Sequence, residues 1–294
     1  MCVLVDAIEE EHYTESKARR EDDDWQQTSS IHPMAGVKRN RAEMESKEQE
    51  DSPSPYLPMF EHFKSEIDTH HDRRERVIKA SRDITAYSKK IIFALQRTKE
   101  IGKPLTDRKA LTDITKLKQQ IKETFEGVTD DLQGINAHRY QRQISPGVQE
   151  FMEAALFEHY LVNQAIMTHS EAATTIPAGI TLTYEDYVLG IFDMTGELMK
   201  IAITYMATNG KLPGLQGGAS VLTDMQTMRT QLELINAGHG PFAKEFEGKL
   251  RVTRQSVEKV ELSVYSMTVR GKEMPKGWKP DIDMRQPAEE IESY

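Results

Sequence analysis

The stretch that most constrains this chain is VLGIFDMTGELMKIAITYM, residues 188–206, which is apolar on nearly every side and carries only three charges, Asp193, Glu197 and Lys200. A helix hydrophobic around most of its circumference has to be enclosed by other elements, so the stretch predicts a central, packed helix. Asp193 and Glu197 stand four residues apart, and a helix places their carboxylates on one face, a turn from each other, where like charges repel. Buried carboxylates are costly unless paired, protonated or bound to a cation. Two resolutions remain open: the acids line a wetted edge of the helix or pair with arginines from elsewhere in the fold, or they hold a metal ion.

The flanking sequence supplies further helices. Residues 59–99 read as one long helix with Phe60, Phe63, Ile67, Val77, Ile84, Tyr87, Ile91 and Leu95 on a helical repeat. Its charged middle suggests an ion pair of Asp72 with Arg76, or a phosphate-binding patch of Arg73, Arg74, Arg76, Lys79 and Arg82. A second helix is predicted over 106–125 and a short helical piece over 135–143. Ser145 and Pro146 have the form of an N-cap followed by proline at the first helical position, which predicts a third main helix beginning at Pro146. Residues 170–183 read as a loop, ending in Thr183, which with Asp186 makes a capping-box variant for the central helix. The glycine-rich connector 210–218 matches no phosphate-loop spacing. Residues 220–237 and 241–270 read as the last two helices. No alternating strand is convincing, and helices with short connections point to an all-α bundle.

Charge and composition narrow the function classes. Cys2 is the only cysteine, which excludes disulfide frameworks, zinc ribbons and CxxC redox chemistry, and leaves oxygen and histidine as metal ligands. A net charge of -9 argues against strong non-specific nucleic-acid binding by the chain alone; a nucleic-acid partner would need a local basic surface or one supplied by another subunit. No apolar run reaches membrane-spanning length, and the opening residues lack the pattern of a secretory signal, so an intracellular protein with no membrane partner is expected. Residues 1–55 mix acidic runs with the basic string VKRNR and end in DSPSPYLP; with little apolar content they are predicted to be a disordered tail. The VKRNR string reads as a weak nuclear-import signal or a solvated cluster.

A second acidic pair, Glu150 and Glu153, lies three residues apart near the start of the third main helix. Two like pairs on two helices suggest an oxygen-rich cage, although solvated acids at such spacing are common on any helix. Di-iron bundles use Glu-x-x-His on two helices, and neither glutamate has a histidine at that offset. An all-carboxylate site favours hard cations such as Mg²⁺ or Mn²⁺, which suit phosphoryl chemistry.

Four separated blocks, HDRRERVIKASRDITAYSKKIIFALQR, GVQEFMEAALFEHYL, DYVLGIFDMTGELMK and KLRVTRQSVEKVELSVYSMTVRGKEMPK, resemble the translin family in its TRAX (translin-associated factor X) branch. The resemblance runs over roughly residues 59–276. It implies an all-α domain of about seven helices over 56–276, flanked by tails at 1–55 and 277–294. It also implies assembly with translin into a closed, hollow, octamer-like hetero-oligomer of cytoplasm and nucleus that cuts single-stranded RNA with Mg²⁺, Mn²⁺ being a substitute. In that branch the acids of Q-E-x-x-E and D-x-T-G-E are catalytic and hold the metal; here QEFME carries Glu150 and Glu153, and DMTGE carries Asp193 and Glu197. The alternative is a non-catalytic, nucleic-acid-binding or scaffold subunit of the same complex. Leu222, Met225, Leu232, Leu250, Val257, Val260, Val264 and Met267 look like more apolar surface than one subunit needs, and mark an expected interface without which the chain alone would be unstable.

Because the N-terminal tail lacks the apolar content to join a core, removal of residues 1–50 is expected to leave assembly and any RNA cleavage intact. Size-exclusion chromatography and a cleavage assay on the truncated chain check this; normal assembly with total loss of activity would assign the tail a role in substrate capture.

Overall fold

The structure is a computed structural model and describes residues 54–98, 101–177, 179–213 and 220–270. The tail 277–294, the VKRNR string and all but the last two residues of the tail 1–55 lie outside the described residues. The chain divides into two compact units, 1–61 and 62–294. Of the first, the described residues carry only the opening of a helix; the packing and the site described below are those of the second.

The described residues hold eight α-helices and no strand: α1 (Leu57–Leu95), α2 (Arg108–Glu126), α3 (Ile135–Arg139), α4 (Gln141–Asn163), α5 (His169–Thr174), α6 (Tyr184–Asn209), α7 (Val221–Glu233) and α8 (Pro241–Arg270), with a 3-10 turn at Asp130–Leu132. The expected all-α bundle is therefore the fold, and the stretch rich in apolar residues sits at its centre. Helix α6 packs against α4 on one side and against α7 and α8 on the other, burying Leu189, Phe192, Met194, Leu198, Ala202 and Met206. None of the helices is long and apolar enough to cross a membrane.

Local signals explain several boundaries. Asp107 caps α2 by accepting from the amides of Lys109 and Ala110, and Thr183 caps α6 by accepting from the amide of Asp186. Gly210, at φ 67°, ends α6 in the left-handed conformation. The segment expected to be a loop contains α5, whose Thr168 and Glu171 form a reciprocal capping box; six residues are too few to show a helical period in the sequence.

The start of α4 corrects the sequence reading. Pro146 lies inside the helix, which begins at Gln141, and Ser145 does not cap it. The Ser145 hydroxyl instead donates to Asp186, as do the side chains of Gln141 at 2.9 Å, Gln149 at 3.0 Å and Thr183 at 2.8 Å. Asp186 is 2% exposed, and a buried carboxylate at the N-terminus of α6 gains from the helix dipole as well as from these donors. With Tyr140 and Ile144 also buried, tertiary packing outweighs the hydrogen bond that proline cannot make.

Two further expectations change. Arg76 pairs with Asp131, at 2.8 and 2.7 Å, rather than with Asp72, and Arg73 joins it at 3.2 Å; two members of the supposed phosphate patch thus tie α1 to the 3-10 turn. On the later helices Met225, Leu232, Leu250, Val257 and Val260 are buried and Leu222 and Val264 are partly buried. They are core, because α7 and α8 close over α6. The apolar residues left exposed on α8 are Val252, Leu262, Tyr265 and Val269.

Helix α4 is brought close to both neighbours by glycine. At Gly147 an added Cβ would stand 2.8 Å from the Ser81 carbonyl oxygen of α1, and at Gly190 of α6 it would stand 2.8 Å from Met152 Cβ and 3.3 Å from the Glu153 amide nitrogen. Neither contact involves the end of a flexible side chain, so Gly147→Ala and Gly190→Ala are each expected to cost ~1–3 kcal/mol of unfolding free energy. Gly196→Ala, on the same helix with nothing near its added Cβ, should gain up to ~1 kcal/mol from helix propensity. Denaturant unfolding of the three variants checks the contrast; equal effects at Gly190 and Gly196 would contradict it.

Candidate functional site

The Gly190 contact decides where the acids stand. Glu153 follows Met152 at the point of closest approach on α4, and Asp193 and Glu197 lie one and two turns beyond Gly190 on α6. The structure brings the four predicted residues into one neighbourhood: Glu153 feels the charges of Asp193, Glu150 and Glu197, and Glu150 those of Asp193 and Glu197. Glu153 and Glu197 are buried, at 9% and 6% exposure, while Asp193 and Glu150 reach solvent.

Burial, reinforced by the neighbouring carboxylates, pushes the Glu153 carboxyl up to about 8. No hydrogen-bond donor among the described residues offsets that desolvation. Burial raises Glu150 as well, against the opposing charge of Lys89, whose ammonium lies 3.8 Å away. Asp193 is held by Lys249 of α8, which donates to both carboxylate oxygens at 2.6 and 2.7 Å. Glu197 accepts from Lys200 at 2.6 Å and from Gln96, just past the end of α1. The acids are thus countered by lysines from three helices and not by arginines.

A donor set of four carboxylates, one of them buried without a donor, has the chemistry to take a hard divalent cation. As the side chains lie, no group of three His, Cys, Asp or Glu among the described residues is arranged around an ion; Asp193 and Glu197 are turned to their lysines. A cavity of about 510 Å³ lies on a different face of α4, bounded by Ile121, Phe125, Phe151, His159 and Met167, and includes none of the four acids.

Lys249, Lys89 and Gln96 were not legible as site residues in the sequence. Lys200 stands at helical spacing from Glu197 and carried a signal; Lys249 and Gln96 are 56 and 101 residues from their partners, and only the packing of α8 and α1 brings them in.

The Translin family pattern matches residues 72–271, a span that includes all four acids and Lys249. The chain belongs to the translin family. Among similar proteins, Translin-associated protein X of Rattus norvegicus is 29% identical over 260 residues, covering 79% of this chain and 84% of that one. The Translin-associated protein X homolog of Schizosaccharomyces pombe is 30% identical over 212 residues, covering 72% and 87%. Translin of Gallus gallus is more distant, at 21% over 209 residues, covering 65% and 88%. The crystal structure of apo-NeC3PO shares the fold with a TM-score of 0.54 at 15% identity, over 74% of this chain and 99% of that one. That of AfC3PO does so with a TM-score of 0.53 at 17%, over 72% and 97%. This translin-family chain therefore carries its two acidic motifs on the neighbouring helices α4 and α6.

The raised Glu153 carboxyl predicts a pH dependence of stability in metal-free buffer. The folded chain keeps that proton up to about pH 8, whereas the unfolded chain loses it near 4.5. Between those values the folded state binds more protons, so unfolding free energy falls as pH rises and levels off above the upper value. Glu153→Gln should flatten that slope to what the raised Glu150 carboxyl still contributes, matching the wild type near pH ~5 and exceeding it near pH ~9. Thermal unfolding in EDTA across this range checks it; a variant less stable than wild type at the alkaline end contradicts it.

Proposed function

We propose that this chain is the catalytic subunit of a Mg²⁺-dependent endoribonuclease that acts on single-stranded RNA in a hetero-oligomer with translin. The observation that carries the reading is the convergence of QEFME and DMTGE on two closely packed helices, with a buried carboxylate, Glu153, that has no donor of its own. The relatives named Translin-associated protein X support translin as the partner. The charge balance agrees with this: a chain of net charge -9 gains from a partner that supplies basic surface for phosphates.

Glu153, Asp193 and Glu197 would hold the ion, with Glu150 at the solvent edge. Bound there, Mg²⁺ would polarise a phosphate oxygen and lower the pKa of a water molecule. The chain's own contribution is positioning. Gly190 fixes the spacing between the two acid-bearing helices, and Gln96 orients the Glu197 carboxylate. The burial of Glu153 and Glu197 keeps bulk water from screening them, so once an ion displaces the Glu153 proton their charges would act at close range. Glu150, partly enclosed and raised by burial, would accept a proton from an attacking water.

The second reading, a subunit that binds or completes the ring without cutting, draws on the lysine pairing of Asp193 and Glu197, which satisfies those acids without an ion. The two readings separate on substitution. Asp193→Asn and Glu153→Gln, co-expressed with translin, should reduce cleavage of labelled single-stranded RNA in Mg²⁺ by about 100-fold or more, while RNA affinity in EDTA stays within about threefold of wild type. Near wild-type cutting by both variants would place the activity elsewhere and leave this chain as a scaffold.

A further inference from the structure

Lys249 belongs to the acidic site by construction. Its position on α8 is fixed from both sides: one turn earlier Phe246 packs edge-on against Phe192 of α6, with ring centroids 5.0 Å apart, and one turn later the hydroxyl of Thr253 meets that of Thr195 at 3.0 Å. Phe246 and Thr253 are both buried. Asp193 lies between Phe192 and Thr195 on α6, so the register that seats these two contacts sets Lys249 opposite Asp193. The ammonium engages both oxygens of that carboxylate. At 25% side-chain exposure it is the most enclosed of the three site lysines, against 57% for Lys200 and 66% for Lys89. Its charge also reaches α4, opposing the effect of burial at Glu150 and Glu153.

We infer that Lys249 is a tethered counter-ion that occupies the cation position of the site and must leave Asp193 before a divalent ion can bind. This rests on the metal reading proposed above and adds to it a competition within the chain. The ammonium occupies one lone pair on each Asp193 oxygen, so a divalent ion bound to those oxygens would stand close to it and be repelled. The lysine therefore keeps the clustered acids from repelling one another when no metal is present, and it weakens metal binding by the free energy needed to displace it. Once displaced, the ammonium remains attached by a flexible stem beside the site.

The test is Mn²⁺ binding, read by isothermal titration calorimetry and by the loss of free-ion signal in electron paramagnetic resonance, on the full-length chain in its complex with translin. Wild type is compared with Lys249→Met, Lys249→Arg and Glu153→Gln. Lys249→Met should bind Mn²⁺ at least about tenfold more tightly than wild type, and its metal-free melting temperature should fall, with Mn²⁺ raising it by more than in wild type. Lys249→Arg, which keeps the charge, should bind no more tightly than wild type. A purely structural lysine would lower the melting temperature without tightening Mn²⁺ binding, so an unchanged or weaker affinity in Lys249→Met overturns the inference. If that variant does not fold, Lys249→Gln carries the same expectation. Equal affinity in wild type and Lys249→Met, with loss in Glu153→Gln, overturns the counter-ion role and leaves the metal reading standing; absence of Mn²⁺ binding in every form overturns both.

Discussion

The close approach of α4 to α6 at Gly190 is the constraint from which the site follows. A side chain there would collide with Met152 Cβ and crowd the Glu153 amide, so the absence of one lets the two helices carry their acids into a common space. The same device at Gly147 seats α4 on α1, where the Ser81 hydroxyl accepts from the Gly147 amide at 3.0 Å. Helix α4 is thereby wedged between two neighbours at nearly backbone distance. Asp186 adds a polar clasp at one end of that wedge, since three of its four partners come from α4 and the fourth from its own helix cap. Such close packing transmits small displacements with little loss.

Once the helices are fixed, charge is the second problem. Four carboxylates in one neighbourhood cannot all be buried and ionised without compensation. The chain answers differently at each. Glu153 retains its proton, Asp193 takes Lys249, Glu197 takes Lys200 and Gln96, and Glu150 stays near solvent with Lys89 at a distance. A site balanced in this way has its charges met from within the chain, and most of that compensation comes from lysines on flexible stems.

The sequence displayed the helices wherever the apolar repeat was long, and the last of them begins where the residues predicted, at Pro241. It misled where a polar residue had two uses. Ser145 before Pro146 has the form of a cap, but its hydroxyl serves Asp186, 41 residues away; local pattern cannot reveal a distant acceptor. Arg76 has Asp72 at ideal helical spacing and chooses Asp131, which offers a two-point contact. The leftover apolar residues of α7 and α8 looked like an interface because the sequence does not say how completely α6 is enclosed. The four acids were legible through their motifs. Lys249 was not, since nothing near it in the chain marks it as a partner of Asp193.

The most direct measurement is anomalous diffraction from crystals equilibrated with Mn²⁺. A metal role for the α4 and α6 acids predicts an anomalous peak bounded by Glu153, Asp193 and Glu197, with the Lys249 ammonium withdrawn from Asp193. No such peak at saturating Mn²⁺, with Lys249 still bonded to both oxygens of Asp193, would contradict it.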